Sequence, residues 1–219
     1  MIRKISLAGI FPPIPTPFDA RGEVEYDRLS ENVRHWCATP VAGLLPLGSN
    51  GECPYLTDEE KVRVLETVRA AMPPGKLLLA GTGNESTYAA IKLVERAAEV
   101  GADAAMVITP SYFKSRMDGA ALRRHFWEVA DHSPIPVIIY NIPANTGVDI
   151  SAETVLELAR HPNIISLKDS SGNLVKLGEI LRSAPPHFQV LAGAAGFLYA
   201  AMVLGAVGGI AALANVAPD

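Results

Sequence analysis

Several features that would assign a protein to a class at once are scarce or missing here. Only two cysteines occur, Cys37 and Cys53, in neither a disulfide-framework nor a zinc-site pattern, which suits a reducing compartment and leaves both as packing thiols. There is no basic excess. The 19 Lys and Arg face 23 Asp and Glu for a net charge of -4, and they are scattered without a run or interleaved aromatics, which argues against a nucleic-acid partner. The N-terminal MIRKISLAGIFPPIP holds no apolar run long enough for a signal peptide and too little Arg and Ser for a transit sequence. The cytoplasm is therefore the expected location, and the mitochondrial matrix would require a presequence absent from this chain. One stretch, Phe197 to Ala214, runs eighteen residues without a charge, the length of a transmembrane helix. Gly205, Gly208 and Gly209 interrupt it after about two turns, and no Lys or Arg flanks it closely, so a buried helix, a turn and a buried strand are expected instead, with no membrane partner.

What is present is apolar bulk. Of 219 residues 49% are hydrophobic and 19% charged, enough for one α/β domain over residues 1–219, with no linker or low-complexity segment. Apolar runs ending in Gly, Pro or small polar residues recur eight times: GIFPPIPTPF, GLLPLGSNG, LLLAGTGN, AAMVITPS, PVIIYNIP, IISLKDSS, FQVLAGAA and GGIAALANV. Helical patterns separate them. In TDEEKVRVLETVRAAM, Thr57 and Glu60 form a capping box and Val62, Leu65 and Val68 share a face; in SAETVLELARHP, Ser151 opens a helix with apolar Val155, Leu156 and Ala159. Eight strand-helix units imply parallel strands covered on both faces, and argue for a (β/α)8 TIM barrel over an open sheet.

A lysine stands at the end of one such strand. Burying an unpaired cation costs several kcal/mol, on the order of 2–7 for even a neutral polar group, so Lys168 after Ile164, Ile165 and Leu167 is either a strand end reaching water or an amine placed for chemistry. Active sites of barrels lie at the C-terminal ends of the strands, where Lys168 falls. Alternation places Ile164, Ser166 and Lys168 on one face, above a small serine, and desolvation there lowers the amine's pKa toward the range where it attacks carbonyls. The preceding strand ends at Tyr140, on the face of Ile138, so a phenol able to relay a proton can stand beside the amine. GSNGE, residues 48 to 52, offers Ser49, Asn50 and backbone N–H groups to a carboxylate, although the same residues are ordinary turn formers.

The order GSNGE, TPSYF, YNIPANTG, KDSSG resembles the dihydrodipicolinate synthase and N-acetylneuraminate lyase superfamily of Schiff-base aldolases, over the chain from GIFPPIPTPF to its end. Within it the core strands and site segments are most similar to the 4-hydroxy-2-oxoglutarate aldolase branch. The resemblance implies Lys168 as Schiff-base nucleophile, Tyr140 as proton relay, and Ser49 and Asn50 as partners of the carboxylate beside the ketone. It further implies that Tyr112 acts across a subunit interface in a homo-oligomer, a dimer or tetramer, and that Ser170 approaches the substrate's hydroxyl or far carboxylate. The substrate is a small 2-oxo acid, and no metal or organic cofactor is expected. The five histidines, at 35, 125, 132, 161 and 187, lack ligand spacing.

Two departures matter. Synthases of the superfamily carry an arginine where PANTG has Asn145, so Asn145 as a substrate contact points to cleavage of 4-hydroxy-2-oxoglutarate into pyruvate and glyoxylate. The alternatives are condensation of pyruvate with aspartate-semialdehyde, sialic-acid cleavage, a 2-oxo-acid-binding protein without turnover, and a structural barrel with an incidental lysine. The family also continues past the eighth strand, so a barrel lacking its final helix and the C-terminal helical extension is expected.

Overall fold

A computed structural model describes residues 5–218. Eight parallel strands alternate with helices in the expected order: β1 Gly9–Ile10, α1 Tyr26–Cys37, β2 Gly43–Leu44, α2 Asp58–Ala71, β3 Leu77–Gly81, α3 Thr87–Val100, β4 Ala104–Ile108, α4 Gly119–His132, β5 Val137–Asn141, α5 Pro143–Thr146, α6 Ala152–Leu158, β6 Ile164–Asp169, α7 Leu174–Ser183, β7 Gln189–Ala192, α8 Leu198–Leu204 and β8 Gly208–Gly209. The sheet runs β1-β8-β7-β6-β5-β4-β3-β2. A parallel bridge between Pro13 and Leu45 joins its two edges into a TIM barrel. β1 is short for a chemical reason: Pro12, Pro13 and Pro15 follow it and offer no N–H to a ladder.

The helices start where the sequence supplies caps. Thr57 and Glu60 close the capping box at α2, with Thr57 N–H donating to Glu60 Oε2 at 2.8 Å and Glu60 N–H to Thr57 Oγ1 at 3.2 Å. Ser86, Asp118, Ser151 and Asn173 each accept a bond from the N–H three residues on, a device worth about 1 kcal/mol apiece. The buried stripes differ in detail from the sequence reading. Val64, rather than Val62, joins Leu65 and Val68 on the inner face of α2, and in α6 Leu158 is buried where Leu156 is only half-covered.

Side chains divide into a barrel interior, with Phe11, Leu79, Met106, Ile138, Tyr140, Ile165 and Leu191, and outer layers between sheet and helices. Two expectations fail here. Between β5 and β6 the register slips: Val137 faces Ile164 but Ile138 faces Ser166, so Ile164 packs outward and Ile165 inward, reversing the predicted alternation at the strand's start while leaving Ser166 and Lys168 downstream of the slip. The apolar helix expected to be buried, α8, covers the sheet through Ala201, with Leu198 partly buried against the core, while Tyr199, Met202, Val203 and Leu204 are exposed. Beyond β8 a short turn, Ala212–Asn215, is tied down by Asn215, whose Nδ2 donates to Pro13 O and whose carbonyl accepts from Trp36 Nε1, while Leu213 and Val216 face outward. Among the described residues no helix is long and apolar enough to cross a membrane.

Candidate active site

The C-terminal ends of β2 through β5 frame a cavity of about 540 Å³, whose walls include Ser49, Gly83, Ile108, Thr109, Tyr140 and Asn145. Its shape depends on the turn after β2. Leu47 and Glu52 hold left-handed conformations, φ 60° and 53°, which cost bulky residues of order 1–3 kcal/mol each and are sustained by packing around them. That packing requires Gly81, because a Cβ there would lie 2.1 Å from the Leu47 carbonyl oxygen. The turn between these two residues brings Ser49 over the barrel mouth. Gly51 N–H donates to Gly48 O and Glu52 N–H to Ser49 O, so an incoming anion would meet the N–H groups at the start of the turn.

Tyr140 and Lys168 are register partners on β5 and β6. The lysine is 3% exposed and its Nζ lies 3.8 Å from the centroid of the Tyr140 ring. Burial pushes the amine's pKa from 10.5 down to about 7, against the pull of the ring face, which favours the ammonium form. Tyr140 stands on the cavity wall with its hydroxyl 3.3 Å from Ser49 Oγ. Burial raises the phenol's pKa, while hydrogen bonds from Ser49 and Ser170 lower it. Ser170 is held by a close approach: a Cβ on Gly193 would fall 2.0 Å from the Ser170 hydroxyl, so only glycine leaves that side chain its place. The assembly can therefore present a neutral amine, a proton carrier and two hydroxyls to one small ligand.

Of the seven residues singled out in the sequence, Lys168, Tyr140, Ser49 and Ser170 converge, and Asn145 stands across the cavity on α5. Asn50 is exposed beside Ser49 and is not a wall residue. Tyr112 is 77% exposed, with its ring edge-on to Phe113 at 5.0 Å, and also lies off the cavity wall. Lys168 itself is not on the wall; the amine packs against the Tyr140 ring. Three features went unread in the sequence. Thr109 presents a fully buried hydroxyl without a partner among the described residues. Glu85 fixes the turn bearing Tyr112, accepting from the N–H groups of Ser111 and Tyr112, each at 2.8 Å, and from the Ser111 hydroxyl at 3.0 Å. A buried polar cluster also backs Lys168 from outside the barrel. Only the threonine had a signal, its place at the end of an apolar run before a proline.

The model of the dihydrodipicolinate synthetase family matches residues 6–219. The 4-hydroxy-tetrahydrodipicolinate synthase of Methanothrix thermoacetophila is 38% identical over 211 residues, 96% of this chain and 70% of that protein. The probable mitochondrial 4-hydroxy-2-oxoglutarate aldolase of Emericella nidulans is 36% identical over 223 residues, covering 100% of this chain and 72% of that protein. Among solved structures, the chloride-inhibited dihydrodipicolinate synthase of Acinetobacter baumannii complexed with pyruvate superposes with a TM-score of 0.93 at 32% identity, over 97% of this chain and 72% of that one.

Proposed function

The chain belongs to the dihydrodipicolinate synthetase family, and from that premise we propose that it is a lyase of 2-oxo acids working through a Schiff base on Lys168. The observation that carries the reading is the desolvated amine 3.8 Å from the Tyr140 ring, with its pKa lowered to about 7. A neutral amine attacks the ketone carbon, and Tyr140 passes the protons that turn the carbinolamine into an iminium with loss of water. With 4-hydroxy-2-oxoglutarate, the C4 hydroxyl then gives up its proton, the C3–C4 bond breaks, and its electron pair enters the iminium. Glyoxylate leaves and pyruvate remains as an enamine, which is protonated at C3 and hydrolysed from the lysine. Ser49, Asn50 and the turn N–H groups hold the carboxylate beside the ketone, Ser170 meets the C4 hydroxyl, and Tyr112 enters from a second copy of the chain. The scheme uses no metal or organic cofactor.

Asn145 supports the cleavage reading, since the resemblance places a guanidinium at this position in the synthases and this chain has a neutral amide there on the cavity wall. A second reading, condensation of pyruvate with aspartate-semialdehyde, is favoured by the name of the Methanothrix relative. A substrate panel decides between them: cleavage of 4-hydroxy-2-oxoglutarate faster than condensation of pyruvate with aspartate-semialdehyde supports the first, the reverse order the second. Turnover of neither, with pyruvate still bound, would leave a binding protein.

A further inference from the structure

The cluster behind Lys168 contains buried charged groups that the scheme above does not use. Inward residues Tyr140 and Lys168 are each followed by an outward neighbour, Asn141 and Asp169, also paired in register and both fully buried. Asn141 Nδ2 donates to Asp169 Oδ1 and to Asp149 Oδ1, each at 2.7 Å, and its Oδ1 accepts from Ile150 N–H at 3.2 Å. From α7, Lys176 sends its ammonium to Asp149 Oδ1 at 2.5 Å, to Asp169 Oδ1 at 3.3 Å and to Ile150 O at 3.5 Å. The other oxygen of Asp169 accepts from Ser171 Oγ at 2.5 Å and Ser171 N–H at 3.2 Å. Both oxygens of a wholly buried carboxylate are thus engaged, by three different segments of chain.

Such a network is expensive to build and need not add stability, since buried ion pairs often do no better than apolar residues of the same size. Its position gives it a use. The β5–β6 ladder changes register at Val137/Ile138, and one further residue of slip beyond that point would turn Tyr140 or Lys168 out of the barrel. The Asn141–Asp169 contact exists only in the register that sets Tyr140 against Lys168. Lys176 and Asp149 fasten that contact to α7 and to the loop before α6.

We propose that Asp169, Asn141 and Lys176 are positioning residues that lock the β5–β6 register and hold the Lys168 amine against Tyr140. The inference rests on the Schiff-base reading of Lys168. The test is the rate of borohydride trapping of pyruvate on Lys168, followed against pH in the full chain, in Asp169→Asn, Lys176→Met, Lys176→Arg and Ser171→Ala. Asn163→Ala serves as the control: Asn163 Nδ2 bonds the carbonyls of Ala130, Ser133 and Ile135 next to the opposite end of β6, so this variant loosens the same strand away from the site.

Asp169→Asn and Lys176→Met should slow trapping roughly 10–100-fold, as expected for misplacement by about 1 Å, and move its pH midpoint upward as the amine swings toward water. Lys176→Arg should restore most of the rate. Asn163→Ala should lower the melting temperature while trapping at wild-type rate and midpoint below the melt. If Asp169→Asn or Lys176→Met does not fold, Ser171→Ala, which removes one bond to Asp169 and the one its hydroxyl accepts from Asn173 N–H, should still slow trapping severalfold where Asn163→Ala does not. Equal rates and midpoints in all folded variants, or equal losses in Ser171→Ala and Asn163→Ala, overturn the positioning role and leave the Schiff base standing. A wild-type protein that forms no adduct on Lys168 overturns both.

Discussion

At Lys168 burial works against charge, and the cost is paid by the fold. The amine titrates near 7 in the folded chain against 10.5 when exposed, so below pH 7 both states are protonated and the folded one carries the full desolvation penalty. At about 1.4 kcal/mol per pKa unit this is on the order of 5 kcal/mol. Between pH 7 and 10.5 the unfolded chain binds the extra proton, so stability rises with pH and the penalty is gone above 10.5. Lys168→Met should therefore melt higher than wild type at neutral pH, with the gap closing as pH approaches 10.5; equal melting at pH 7 would mean that the amine is not desolvated. Tyr140 makes a separable contribution. Tyr140→Phe should keep the fold and pyruvate binding but lose about 10² to 10⁴-fold in turnover, measured by steady-state kinetics, because only the relay proton is removed. Near-wild-type turnover would make the phenol a packing group.

At the scale of elements, what the sequence displayed was local chemistry. The capping box Thr57–Glu60, the N-cap Ser151 and the end of β5, one residue past Tyr140 at Asn141, could be read because each depends on residues within one turn or strand. The register slip of β5 against β6 could not, since alternation counted back from Lys168 puts Ile164 inward and Ile165 outward, and only the pairing with the partner strand reveals the irregularity that reverses them. Likewise Lys176 reads as an ordinary helical lysine, and its ion pairs with Asp149 and Asp169 arise from segments 27 and 7 residues away. The turn α5 carries its own test. Asn145→Arg would put a guanidinium on the cavity wall and should raise condensation with aspartate-semialdehyde relative to cleavage of 4-hydroxy-2-oxoglutarate; an unchanged ratio would show that α5 does not set specificity.

At the scale of the whole molecule, several large apolar side chains among the described residues are exposed. Tyr112 and Phe113 project from the loop after β4, and Tyr199, Val203, Leu213 and Val216 line the outside near β8. Exposed apolar side chains promote association where they gather into one patch. The failure to foresee the exposure of α8 has a simple cause: an uncharged sequence reports that a helix avoids water in some state, without saying which neighbour covers it. Tyr112 lies off the cavity wall, so a catalytic role for it requires another copy of the chain. Light scattering should find more than one chain per particle, and Tyr112→Phe should lower turnover while leaving the Ser49–Tyr140 site intact. A fully active monomer indifferent to Tyr112→Phe would sink the shared-site idea.

The claim on which the rest depends is covalent chemistry at one amine, and it can be measured directly. Incubation with pyruvate, reduction with borohydride and peptide mass spectrometry should give a single pyruvyl adduct on Lys168, formed faster as pH rises through about 7 and the amine loses its proton. Lys176, engaged by two carboxylates, should remain unmodified. An adduct on Lys176, or none on Lys168, would contradict the account.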